Sequence, residues 1–104
     1  MRTYFRAQHA GYSFEDMTSF VSADGGDDLE NIGGLCACST VADLLRNTVM
    51  GAMSANDEVV VFSAMKIAEI YDGYRVEPVA ELARFTVAEF KRDAENVAEQ
   101  YETW

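Results

Sequence analysis

The apolar and polar positions of the chain fall into short segments that change period several times. Residues 2–8, Arg-Thr-Tyr-Phe-Arg-Ala-Gln, form an aromatic-rich run that Gly11 ends, and they predict a first strand. Ser13 stands three residues before Asp16, the spacing at which a cap side chain and a carboxylate satisfy free amides at a helix start, so a short helix to about Val21 is expected. Periodicity then disappears. Residues 24–34 hold Gly25, Gly26, Gly33 and Gly34 among four carboxylates and predict a flexible loop.

Residues 35–38 are a brief apolar stretch. Thr40, three before Asp43, gives a second cap signal ahead of Val41, Leu44, Leu45, Thr48 and Val49, whose spacing predicts a helix that Gly51 stops. After a polar turn at 54–57, Val59, Val60, Val61 and Phe62 are four consecutive β-formers and predict a central strand covered on both faces. Residues 64–71 read as a short helix closed by an Asp72-Gly73 turn. Residues 74–77 are extended up to Pro78, which keeps that strand near an edge. Residues 80–85 alternate, with Leu82 and Arg84 on one side and Glu81, Ala83 and Phe85 on the other, as in a partly exposed strand. Thr86 and Glu89 make a third cap signal. Beyond it Val87, Phe90, Ala94, Val97, Ala98 and Tyr101 recur at helical spacing and predict a C-terminal amphipathic helix.

The expected architecture is a single α+β domain over residues 1–104. It has a mixed or antiparallel sheet of about four strands packed against two to three helices. Length supports one core, and a composition 49% hydrophobic and 12% aromatic is that of a folding chain, not a disordered one. No apolar run approaches the ~20 residues of a bilayer-spanning helix, and the opening Met1-Arg2-Thr3-Tyr4 has no apolar signal region, so a cytoplasmic protein without membrane contact is expected.

Charge narrows the functional classes. Eighteen Asp and Glu against eight Lys and Arg give a formal net charge of -10. Nucleic acid and anionic lipid draw affinity from Lys and Arg, so direct binding to either is disfavoured and a basic protein partner is favoured. Acidity of this degree also serves solubility alone. The densest block is Glu15, Asp16, Asp24, Asp27, Asp28 and Glu30, with no Lys or Arg between them. Carboxylates so close repel, and the block gains when a basic surface neutralises it. Its spacing fails the EF-hand pattern. The C-terminal segment adds Asp93, Glu95 and Glu99. These nine residues are the candidate partner-binding set, for a partner that is itself a nucleic-acid-binding protein.

Catalytic and cofactor signals are sparse, and no cofactor or metal is expected. Cys36 and Cys38 lie too close for an unstrained disulfide, so both are expected free, on one face of a strand and largely buried. The only histidine is His9 and no second Cys pair exists, which argues against zinc. Neither Gly-Gly pair is followed by the Lys of a phosphate loop.

Two resemblances bear on function. In size and acidity the chain resembles the anti-restriction and anti-CRISPR inhibitors of phages, which implies mimicry of nucleic acid. Separately, Arg6 on a first strand, Ser39-Thr40 after a second, and Glu77 or Glu81 near a late strand resemble the Arg, Ser-Thr-Ser, Glu pattern of ADP-ribosyltransferases, although Val41 stands where the last Ser belongs. That second resemblance implies that Arg6 and Ser39 hold NAD and that Glu81 orients the acceptor. A cleft joining Arg6, Ser39 and Glu81 would support the enzyme.

Overall fold

The computed structural model describes residues 1–18, 34–71 and 73–102. Among them the chain forms four strands, β1 (Arg2–Gln8), β2 (Leu35–Ala37), β3 (Glu58–Ile70) and β4 (Gly73–Thr86). Five short helices accompany these: α1 (Phe14–Thr18), α2 (Val41–Arg46), α3 (Thr48–Gly51), α4 (Val87–Arg92) and α5 (Ala94–Tyr101). All strand pairs are antiparallel, in the order β1-β3-β4-β2. The expected α+β class is what the chain adopts, and 24–34 falls almost wholly outside the described residues.

The β3–β4 hairpin sets the architecture. Its two strands, of 13 and 14 residues, do not pair in one straight register. The hairpin therefore bends. Its register slips between Val61 and Phe62, between Ser63 and Ala64, and between Lys66 and Ala68, leaving Leu82, Val79 and Ile67 as extra residues. Each bulge adds local twist and bend. The sheet curls until β2, already paired with β4, meets β1. There Phe5 and Cys38 exchange both backbone hydrogen bonds, at 2.8 and 2.9 Å.

Curling gives the sheet an inner and an outer face. All four strands fill the inner side, with Tyr4, Leu35, Ala37, Val60, Phe62, Ala64 and Val76, and α1 adds Met17. Outside, Phe5, Ala7, Val59 and Val61 pack under Val41, Leu44, Met50, Val87, Phe90 and Val97 of the other helices. Val59, Val60, Val61 and Phe62 are accordingly fully buried, covered on both faces as their run of β-formers predicts.

Three local expectations need correction. Residues 64–71 are not a helix, because β3 continues to Ile70, with Met65 opposite Glu77 and Ile70 opposite Gly73. The segment is rich in helix formers, and pairing with a distant strand overrides that preference. The 41–49 helix breaks at Asn47, whose extended backbone ends α2 while its side chain accepts the Val49 amide at 3.0 Å and starts α3. The C-terminal helix breaks likewise at Asp93, the C-cap of α4 and N-cap of α5.

The cap signals act as their spacing implies. Asp43 N–H donates to Thr40 Oγ1 at 3.0 Å, and Thr86 with Glu89 closes a full capping box at 3.1 and 2.8 Å. β4 thereby passes into α4 without a loop. Asp57 organises the turn beneath it, accepting from the Ser54 amide at 2.9 Å and the Ala10 amide at 3.1 Å. The Asp57 carbonyl in turn accepts the Val87 amide of α4 at 2.7 Å. Pro78 stands two residues past the last β4 residue paired with β2, where no ladder hydrogen bond is lost.

A Cβ on Gly73 would lie 2.6 Å from the Ala37 carbonyl oxygen, whereas one on Gly51 meets nothing within 4 Å. Gly73→Ala should therefore destabilise by roughly 1–3 kcal/mol through forced separation of β4 from β2. Gly51→Ala, in a helix at ordinary φ, should be neutral or stabilise by up to about 1 kcal/mol. Urea midpoints measure both. The amides of Ser54 and then Ala10 hold the Asp57 carboxyl below its ordinary 3.8, with His9 adding in the same direction. A carboxyl depressed on folding contributes stability that is complete above its unfolded value and lost as pH falls through the folded one. Thermal midpoints should fall as pH drops below about 3.8, and Asp57→Asn should flatten that fall.

Candidate functional site

The candidate carboxylates divide by what they touch. Asp16 is committed to structure. It accepts the Ser13 amide at 3.0 Å while its own amide donates to Ser13 Oγ at 3.1 Å, so the acidic position that looked available for a partner starts α1. Asp93 is paired with Arg92 at 2.9 Å, which holds its carboxyl below the usual range. Glu15 is exposed beside Asp16, and Glu95 and Glu99 are exposed on α5. Asp24, Asp27, Asp28 and Glu30 lie outside the described residues.

The described members do not form one face. Met17 of α1 packs into the inner core and Val97 of α5 into the outer one, so Glu15 and Asp16 stand across the sheet from Glu95 and Glu99. On α5 itself the pattern is cleaner. Glu95 and Glu99 are one turn apart, Glu102 at the C-cap is three residues further, and the helix contains no Lys or Arg. Like charges at i,i+4 cost about 0.2–0.5 kcal/mol. A carboxylate in the last turn also opposes the helix dipole, by ~0.3–1 kcal/mol.

The cations are turned elsewhere. Arg84 reaches Glu58 and Glu81, each at 2.7 Å, and donates to the Tyr12 carbonyl at 2.7 Å. Its hydrogen bonds to Glu81 and then Glu58 raise its pKa further. This clamp corrects the expected alternation of 80–85, because the extra residue Leu82 puts Glu81 and Arg84 on the same inner face, opposite Phe62 and Val60. Arg75 is buried and donates to the Gly34 carbonyl at 3.2 Å, with its Nε lacking a partner among the described residues. Arg6 donates to the Cys36 carbonyl at 2.9 Å, Arg46 is held by Asp43, and Lys66 lies 5.8 Å over the Tyr74 ring.

Three cavities open on the described surface. The first, of about 470 Å³, is lined by Arg6, Cys36, Cys38, Asn47 and Thr48 among apolar neighbours that include Phe5, Leu44 and Ile70. The second, of about 430 Å³, takes Ser39 with Tyr4, Lys66, Glu69 and Tyr74. Arg6 and Ser39 thus line different cavities, and Glu81, bound to Arg84, lines neither these nor the third. Thr40 is spent as a cap, and Glu77 is exposed opposite Met65. These residues do not fit NAD as the ADP-ribosyltransferase pattern would hold it. Among the described residues no group of three or more His, Cys, Asp or Glu is arranged to hold a metal ion.

Neither thiol is in a disulfide, and both line the first cavity, in keeping with positions two residues apart in extended chain. Their burial differs from expectation. Cys38 is buried and takes the Asn47 amide at 3.6 Å, whereas Cys36 is only half-buried. In the folded protein a maleimide should label Cys36 before Cys38, with the order read by peptide mass mapping; equal rates in urea would complete the pattern. Arg6, Cys36 and Asn47 meet in this cavity through the Phe5–Cys38 bridge, a contact between residues 33 apart in the sequence that no local motif announces.

No helix among the described residues is long and apolar enough to cross a membrane. The chain matches no family model, no curated protein and no solved structure.

Proposed function

We propose that the domain is an acidic docking protein that occupies a basic, normally nucleic-acid-binding surface of another protein, as inhibitors of the anti-restriction or anti-CRISPR type do. One observation carries the reading. Among the described cations Arg6, Arg75 and Arg84 are drawn into the fold, while Glu95 and Glu99 project from a helix without a basic residue that ends on Glu102. Arg84 takes Glu58 and Glu81 inward with it, so within a net charge of -10 the arrangement leaves a local run of carboxylates on α5 without a cation of its own. That arrangement costs α5 stability in the free protein, and a basic partner removes both the mutual repulsion and the conflict with the dipole. Lys and Arg presented to phosphates would meet a ladder of carboxylates spaced by about one helical turn, ~5.4 Å. Glu15, Asp24, Asp27, Asp28 and Glu30, close together in the sequence, are proposed as a second acidic set for the same kind of partner.

The test is competition. A labelled duplex DNA bound to an arginine-rich peptide should be displaced by the domain at low salt, with displacement fading as ionic strength rises. The domain alone should not shift the DNA. Glu95→Gln/Glu99→Gln should weaken displacement several-fold and, by relieving repulsion, raise the thermal midpoint. Unchanged displacement by that double variant, or none by the parent, counts against the proposal.

A further inference from the structure

The outer face of the sheet is only partly covered. Helices α2 to α5 close over its Val59 and Val61 end, with Ala83 and Phe85 packed beneath. Farther along the same face come Ser63 with its partner Ala80 and Met65 with its partner Glu77, and none of these belongs to the core under the helices. Met65 is 56% exposed and Ala80 and Glu77 are exposed. Along the same stretch of β4 the two bulge residues Val79 and Leu82 are each 46% exposed. A branched apolar side chain gains nothing from water, and two placed by separate bulges in one stretch mark a surface with a use.

The free edge along this stretch narrows how a partner engages. From Glu77 to Thr86 no described strand pairs with the second edge of β4, since its pairing with β2 ends at Val76. Addition of a strand there is blocked twice over. Pro78 has no amide to donate, and the two extra residues break the regular spacing that a new ladder needs. The contact must run through side chains.

We infer that Met65, Val79 and Leu82, with Glu77 among them, form a docking shelf for a protein segment that carries apolar residues next to Lys or Arg. This rests on the docking function proposed above and names what the partner presents. Charge decides the occupant: a net charge of -10 repels a second copy, while Glu77, exposed opposite Met65, and the overall negative charge attract basic residues. Apolar contact supplies the selectivity that carboxylates alone lack, because any cationic surface satisfies a carboxylate and only a matching one buries Val79 and Leu82.

Three labelled peptides test the shelf by polarisation and by methyl shifts of Met65, Val79 and Leu82. They alternate lysine with leucine, lysine with serine, and glutamate with leucine. The lysine–leucine peptide should bind roughly tenfold more tightly than the lysine–serine one and should move those methyl signals. Val79→Ser/Leu82→Ser, with folding confirmed by circular dichroism, should erase that advantage and leave lysine–serine binding as it was. Equal affinity of the two lysine peptides, or an advantage that survives the double variant, overturns the shelf. Glutamate–leucine binding as tight as lysine–leucine overturns its basic partner, and methyl shifts that follow protein concentration in sedimentation-detected dimers assign the shelf to a second copy instead. Lysine–serine binding that depends on Glu95 and Glu99 while the leucine advantage is absent leaves the acidic docking function standing without the shelf.

Discussion

A long hairpin at the centre of a small sheet folds over its own core, and β3 with β4 does so through bulges that leave Leu82, Val79 and Ile67 without ladder partners. Bending brings β2 back to β1 and separates an inner core filled by all four strands from an outer core filled by helices. The Leu82 bulge also makes the Arg84 clamp possible. A guanidinium and a carboxylate three residues apart on a regular strand face opposite ways, and one extra residue brings Glu81 and Arg84 together. Side chains from β3, from β4 and the carbonyl ahead of α1 then converge on one cation.

Much of the local structure was legible because its causes are local. The first strand, the Thr40 and Thr86 caps, the Ser13 box and the buried run from Val59 to Phe62 each depend on residues within a few positions. What the reading missed depends on distant pairing or on single residues inside a continuous period. Met65 to Ile70 become strand because β4 lies alongside them, a fact absent from their own composition. Asn47 and Asp93 interrupt apolar patterns that continue in phase on both sides, so periodicity alone joins the helices they separate. Bulges leave no compositional trace, and the outward placement of Val79 and Leu82 was hidden with them.

Carboxylate counts proved a poor guide to which carboxylates are available. Asp16 and Glu89 cap helices, Asp57 ties a turn to α4, Glu58 and Glu81 hold Arg84, and Asp43 and Asp93 hold neighbouring arginines. Acidic residues at helix starts are expected from the capping rules, and reading all of them as a binding face counts the same charge twice. The residues left uncommitted are fewer and better placed. Glu95 and Glu99 share a helix with no cation of its own, and Glu102 is its C-cap.

The inward turn of Arg6, Arg75 and Arg84 has a consequence for how the domain answers its solvent. In the unfolded chain those guanidinium groups mingle with all the carboxylates and moderate their repulsion, whereas folding fixes each on a few partners, Arg84 on Glu58 and Glu81, and leaves the carboxylates of α5 without a cation on their own helix. Dissolved salt supplies the missing counter-charge to the exterior, and it screens exposed groups far more than enclosed ones. Ionic strength thus pulls the molecule in two directions at once, making the fold firmer as it makes electrostatic recognition weaker.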